Sequence, residues 1–338
     1  MKKRIIYFIA FILICAAGFI AWKIFGPTIH APTGKFFYIH TGSSYQEVKK
    51  ALLEQDIISN EFFFDPVAKQ AKYPNAIKAG RYEIRNGISI YSLVRMLRSG
   101  KQAPVNFTIT KLRTREDLAS RIAANFETDS ASMMSLLDNE DSLRTFGLDR
   151  NTAMTAVIPN TYSIYWNTSP SKIFRKLNTE KDKFWTEYRA EKAEAMNLTP
   201  EQVYTLASIV EEETNKEADK GKIASVYINR IRAGQRLEAD PTIKFALKNF
   251  GLKRIRKSNI DACAGSPYTY YIHGLPPGPI CTPSSKTIDA VLDAPKTDYL
   301  FFVARPDWSG LSNFTGSFQE HQVNARNYQR FLDSINIK

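Results

Sequence analysis

The chain has 338 residues, 43% of them hydrophobic, with 46 Lys and Arg against 34 Asp and Glu and a formal net charge of +12. That apolar content suffices for one large or two modest domains with packed cores, and the basic balance fits either an anionic partner (nucleic acid, phospholipid head groups, cell-wall polymer) or surface solubility. There is no P-loop, G-x-S-x-G or G-x-G-x-x-G, and His30, His40, His273 and His321 have no metal-ligand spacing, which argues against the common nucleotide-binding, serine-hydrolase and zinc classes.

Lys2, Lys3 and Arg4 precede Ile5 to Trp22, an uncharged run of 18 residues. This is just long enough to cross a bilayer with a slight tilt, and the positive flank keeps the amino terminus in the cytoplasm. Residues 1–26 therefore read as a cytoplasmic tip and single-pass anchor, held in the inner (cytoplasmic) membrane through residues 5–25, with the remainder on the outer, periplasmic side. A cleaved signal peptide is the competing reading. The run is long for one, and Ala21-Trp22-Lys23 offers no small-x-small cleavage site. An outward-facing chain rarely meets nucleic acid, so that partner is not expected. In an oxidising compartment Cys263 and Cys281 either pair or stay as two free thiols.

Residues 27–35, with Pro27, Pro32 and Gly34, read as a linker. Phe36 to His40 reads as a strand, and Ser44-Tyr45-Gln46-Glu47 as a capping box opening a helix through Val48 and Leu52. A helix near Phe62 to Gln70, a strand from Gly80 to Ile84, and a helix from Tyr91 to Arg98 stopped at Ser99-Gly100 follow. Together residues 36–103 make a small α+β module. Pro104 to Thr110 alternates as a strand, and Thr114-x-x-Asp117 starts a helix with Leu118 and Ile122 inward. Two short helices are expected at Ser132–Leu137 and Asp138–Phe146, a turn or loop at Ile158–Tyr162, and one charged, largely solvated helix over 171–195. Residues 104–338 form a second domain of mixed α/β character, and the whole chain is α+β.

The chemistry concentrates after Thr199-Pro200, an N-cap followed by an N1 proline. Leu206, Ile209, Val210 and Glu213 share one helical face at i, i+3, i+4 and i+7, whereas Glu212 points away. A carboxyl on an apolar stripe has its ionised form disfavoured, and a carboxylic acid kept protonated near neutral pH suits general acid catalysis of glycosidic cleavage. The alternative is that the stripe ends at Val210 and Glu213 is solvated. Asn229 sits beside the apolar stripe of a helix over Lys222–Arg232, with Ile223, Val226, Tyr227 and Ile231 inward. It could serve a sugar or buried backbone equally well. Asp240-Pro241-Thr242 is sufficiently explained as an N-cap with Pro at N1. Ser266 to Thr282 carries three tyrosines ahead of Gly274-Leu275-Pro276-Pro277-Gly278-Pro279. Such a stiff aromatic loop suits either sugar faces or a structural corner.

At these residues the chain resembles the YceG-like, MltG-type family of endolytic murein transglycosylases. The likeness is carried by Ala207-Ser208-Ile209-Val210-Glu211-Glu212-Glu213-Thr214, Ala224-Ser225-Val226-Tyr227-Ile228-Asn229-Arg230, Leu237-Glu238-Ala239-Asp240-Pro241-Thr242 and Gly274-Leu275-Pro276-Pro277-Gly278-Pro279-Ile280, in that order. The resemblance implies a LysM-like module over 36–103 and a YceG-like catalytic domain over 104–338. It implies Glu213 as the essential acid, and Glu211, Asn229, Arg230, Asp240, Thr242, Tyr268, Tyr270, Gly274 and Pro276 as substrate-binding residues. The implied reaction cuts MurNAc–GlcNAc β-1,4 bonds in nascent strands to leave 1,6-anhydro-MurNAc ends and terminates elongation, with no cofactor or metal. The implied partners are peptidoglycan glycan strands and the glycan polymerases of wall synthesis. A hydrolytic muramidase using Asp240, and a non-catalytic peptidoglycan-binding scaffold, are the rival readings. Two departures stand out: Pro159-Asn160-Thr161-Tyr162 where the family has Pro-Asp-Thr-Tyr, and Pro267-Tyr268-Thr269-Tyr270 where it has Tyr-Asn-Thr-Tyr.

Overall fold

In the computed structural model, which describes residues 2–252 and 254–334, the apolar amino-terminal run is one uninterrupted helix, α1 (Lys2–Phe25), with no buried residue. Its most apolar stretch has a mean hydropathy of 2.6, so its length and composition permit a membrane crossing. The chain divides into two units. The first comprises residues up to Phe107 with Asn125–Thr128 and Tyr162–Ser169. The second comprises Thr108–Ala124, Asp129–Thr161 and the chain from Pro170 onward.

In the first unit, strand β1 (Phe36–Ile39) pairs antiparallel with β2 (Gly80–Glu83), Phe36 opposite Glu83 and Ile39 opposite Gly80. The two-residue period of a strand sends Phe37 and Tyr82 to one face, and both are fully buried. They share a core with Leu52 of α2 (Tyr45–Glu54), Phe64 of α3 (Glu61–Gln70) and Leu93 and Leu97 of α4 (Ile90–Ser99). Truncating a side chain such as Leu93 to Ala would cost about 2–5 kcal/mol. The Ser44–Glu47 capping box forms in full, and Gly100 ends α4 in the left-handed region at φ 72°, as only glycine does cheaply.

Residues 27–35 carry no helix or strand. Within them Ile29 is 1% exposed, its amide donates to the Ile88 carbonyl, and His30 donates to Ile57. One expectation for this unit needs correction. The turn expected at Ile158–Tyr162 continues into a strand, β4 (Thr161–Ile164), paired with β3 (Val105–Thr108). Tyr162 and Ile164 point inward between exposed neighbours, an alternation obscured by the turn-like Pro159-Asn160.

The second unit holds the remaining helices: α5 (Arg115–Ala123), α6 (Ser130–Leu137), α7 (Glu140–Arg144), α8 (Pro170–Phe184), α9 (Glu187–Ala195), α10 (Pro200–Glu213), α11 (Glu217–Arg232), α12 (Asp240–Ala246), α13 (Lys257–Ala262), α14 (Ser285–Leu292) and α15 (Phe318–Ser334). A hairpin of β5 (Phe301–Ala304) and β6 (Ser312–Thr315) precedes α15, with Phe301 opposite Thr315. The single helix expected over 171–195 is two. Phe184 and Trp185 both pack against the core, and adjacent residues on one helix cannot face the same way, so the chain breaks there and restarts at Thr186.

Helix α10 is the centre of this unit. Every residue from Val203 to Val210 is buried, the signature of a helix surrounded on all sides. It packs against α11 and α14. The Thr199–Gln202 capping box and Pro200 set its start. The Gly-Leu-Pro-Pro loop is stitched to it where the Ile280 amide donates to Ser208 Oγ (3.0 Å). A Cβ on Gly278 would lie 2.0 Å from the Asn151 carbonyl oxygen, so the loop can approach only as glycine. Cys263 and Cys281 are buried free thiols.

Candidate active site

The last three residues of α10 are glutamates with different surroundings. Glu212 meets Lys111 (3.0 Å) and Arg113 (3.1 Å). Burial alone would push its carboxyl up, but the two cations more than reverse this and hold it below the usual range. Glu211 turns toward α11 and α14, where it accepts from Lys220 Nζ (3.3 Å), Ser284 Oγ (3.3 Å) and Thr287 Oγ1.

Glu213 has no such cation in hydrogen-bond reach among the described residues. Its Oε1 accepts a 2.5 Å hydrogen bond from Tyr227 Oη, one helix away on α11. Burial pushes its pKa up to about 7, opposed by the Tyr227 hydrogen bond, helped by the Asp240 carboxylate and opposed again by Lys244. The position adds to this, because the carbonyl end of α10 disfavours a negative charge. With Oε1 occupied by the tyrosine hydroxyl, the carboxyl proton belongs on Oε2.

Glu213 opens on a cavity of about 300 Å³, whose other walls include Tyr227, Arg230, Glu238, Asp240, Phe301 and His321. Arg230 is held by the carbonyls of Leu300 (2.8 Å) and Leu237 (2.9 Å), and its guanidinium lies over the Phe301 ring. The His321 ring stacks on Phe301, 5.1 Å between centroids. Glu238 takes a left-handed φ of 53°, an uncommon backbone for a non-glycine residue.

The expected residues do not all converge here. Asp240 does line the cavity, but the cap reading is corrected: Ala239 is the N-cap, and Asp240 is the first residue of α12. Its Oδ1 accepts from Tyr270 Oη instead, so the carboxylate faces Glu213's cavity rather than backbone amides. Asn229 donates to the Thr297 (2.9 Å) and Tyr299 (3.0 Å) carbonyls, holding the segment that leads into Phe301. Thr242 Oγ1 donates to the Ala239 carbonyl, and Tyr268 packs on Phe245 at 4.8 Å. Gly274 and Pro276 line a different cavity, of about 810 Å³, with Asp149 and Gln202. Glu211 belongs to the Lys220 cluster, outside the Glu213 cavity. Tyr227, read from sequence only as an inward-packing residue, is the chief polar partner of Glu213. Phe301 and His321 carried no sequence signal at all.

The model of the YceG-like family matches residues 37–327. The chain belongs to the YceG-like family. Among YceG-like relatives, a Bacillus subtilis (strain 168) protein named endolytic murein transglycosylase is 27% identical over 317 residues, covering 89% of this chain and 85% of its own. A protein of the same name from Streptococcus pneumoniae serotype 2 (strain D39 / NCTC 7466) is 26% identical over 360 residues and covers 96% of this chain. The chain spans only 65% of that relative's length. The crystal structure of a Listeria monocytogenes protein described as YceG-like superposes with a TM-score of 0.56 at 25% identity, covering 85% of this chain and 98% of that one.

Proposed function

We propose that this chain is a membrane-anchored, endolytic peptidoglycan lytic transglycosylase with Glu213 as its acid. The observation that carries this reading is a carboxyl held near pKa 7 by burial, fixed by Tyr227 and open to a cavity. The murein transglycosylase names of the Bacillus and Streptococcus relatives support it, and the peptidoglycan substrate follows from them.

The Oε2–H of Glu213 donates its proton to the glycosidic oxygen between MurNAc C1 and GlcNAc C4 as the C1–O bond breaks. Charge developing at C1 is oxocarbenium-like, and the Asp240 carboxylate on the same cavity favours it electrostatically. The MurNAc C6 hydroxyl then attacks C1 and gives its proton to the Glu213 carboxylate. The bond formed closes the 1,6-anhydro ring, the acid is regenerated, and no water, metal or cofactor is consumed. Tyr227 keeps Oε1 occupied through both transfers.

The positive flank of α1 supports a single pass through the cytoplasmic (inner) membrane with the cavity on the outer side, and strand termination near the membrane follows from that address. Residues 36–103 would then act as a LysM-like glycan-holding module beside the 104–338 catalytic domain, with glycan polymerases as neighbours. Digestion of purified glycan strands followed by mass spectrometry tests the reading: products many disaccharides long, each closed by an anhydro-MurNAc end, are expected. Reducing MurNAc ends would mean a muramidase with Asp240 as second carboxylate, and uncut strands a binding scaffold.

A further inference from the structure

A cavity of about 950 Å³ in the first unit lies between the last turn of α1 and helices α3 and α4. Its character changes along its length. Near α1 the walls are apolar: Phe25, Val67, Tyr91 and Val94, with the Phe25 and Tyr91 rings 5.6 Å apart. Along α4 the lining becomes basic through Arg95, Arg98 and Lys78. Arg95 and Arg98 are one helical turn apart, exposed, and form no ion pair with any described residue. Lys78 donates to the Ser99 carbonyl.

An apolar trough ending in unpaired cations matches an amphiphile with an anionic head. Its place on the chain says which one. Phe25 ends the helix read as the membrane span, so the trough opens where the span meets the outer leaflet. Tyr91 and Trp22, 47% and 53% exposed, stand near the same end of the span. Tyrosine and tryptophan gather at such interfaces because their amphipathic rings suit the head-group region. We infer that the α1–α3–α4 trough seats an anionic phospholipid of the anchoring membrane. Its acyl chains lie against Phe25, Val67 and Val94, and its phosphate is held by Arg95, Arg98 and Lys78. The inference rests on α1 being a membrane span, and lies apart from the Glu213 chemistry.

The test uses the full chain in nanodiscs of mixed phosphatidylglycerol and phosphatidylcholine, released for native mass spectrometry. The expected result is selective retention of phosphatidylglycerol, reduced on the order of tenfold in Arg95→Gln/Arg98→Gln but kept in Arg326→Gln/Arg330→Gln. Circular dichroism and glycan cutting by both variants should match the parent, since none of these residues lines the Glu213 cavity. Equal retention by the Arg95/Arg98 variant, no preference over phosphatidylcholine, or displacement of the lipid by millimolar inorganic phosphate would each overturn the lipid seat. Failure of the chain to enter nanodiscs at all would overturn the membrane span as well, which distinguishes the two.

Discussion

Glu211 and Glu213 stand two residues apart at the end of the same helix, yet they occupy opposite electrostatic settings. Glu211 faces a buried lysine, Lys220, itself 4% exposed and bonded further to Thr287. Glu213 faces a tyrosine hydroxyl and, across the cavity, another carboxylate. A cation as partner makes the pair a brace between α10, α11 and α14. At Glu213 burial, helped by Asp240, outweighs the lowering influences of Tyr227 and Lys244, and the raised carboxyl is fit for an acid. What separates brace from acid is thus the partner supplied by the neighbouring helix, since the residue type and its depth on α10 are nearly the same.

The comparison can be broken in several ways. The largest effect is expected for Glu213→Gln, which should lower the rate of anhydro-end release by about a thousandfold, within the range of a lost general acid. Near-parental activity in a folded variant would remove Glu213 from the chemistry. Next, Lys220→Met should destabilise the second unit by about 3–5 kcal/mol in urea titration, because it leaves the Glu211 carboxylate enclosed without its cation. A negligible loss would mean the brace is ornamental.

Glu213 should carry a stability penalty of its own. An unfolded glutamate ionises near 4.5 and the folded one near 7, so the folded state binds more protons between these values and stability falls as pH rises through that window. Glu213→Gln should therefore be the more stable protein at pH 8, by about 2 kcal/mol after allowing for partial exposure to the cavity. Equal melting temperatures at pH 8 would contradict the raised pKa.

The smallest and most discriminating pair is Tyr227→Phe and Asp240→Asn. Activity requires protonated Glu213, so the rate should fall as pH rises through about 7. Removing the tyrosine hydrogen bond takes away a lowering influence and moves this limb to higher pH. Removing the Asp240 charge takes away a raising one and moves it to lower pH. Shifts of the same sign in a pH–rate series would refute the arrangement.

The enclosed setting of Glu213 was readable from sequence because its determinants are local: a capped start at Thr199-Pro200, an apolar stripe, and a position on that stripe. The fold's capping boxes were readable for the same reason. What decides the remainder is non-local. No spacing rule links Glu211 to Lys220 rather than to substrate, or aims the Tyr227 hydroxyl at Glu213. Asp240-Pro241 carries the composition of a cap, and only the Tyr270 hydroxyl, 30 residues on, draws its side chain away. The β5–β6 hairpin went unread because its strands are only four residues long, Phe-Phe-Val-Ala and Ser-Asn-Phe-Thr, and neither alternates apolar with polar. With it went Phe301, and His321 of α15. The family resemblance named whole stretches of this chain, but it could not say which of their residues face the cavity and which hold its walls.

The close approach at Gly278 has a consequence for mutational tolerance. A single methyl there would meet the Asn151 carbonyl, so the site admits one residue type, whereas Pro277 and Pro279 beside it only stiffen the path. In a library of all single substitutions, Gly278 should be depleted as uniformly as Glu213, for an unrelated reason. The two would separate by what survives: folded, inactive protein at Glu213 and little soluble protein at Gly278.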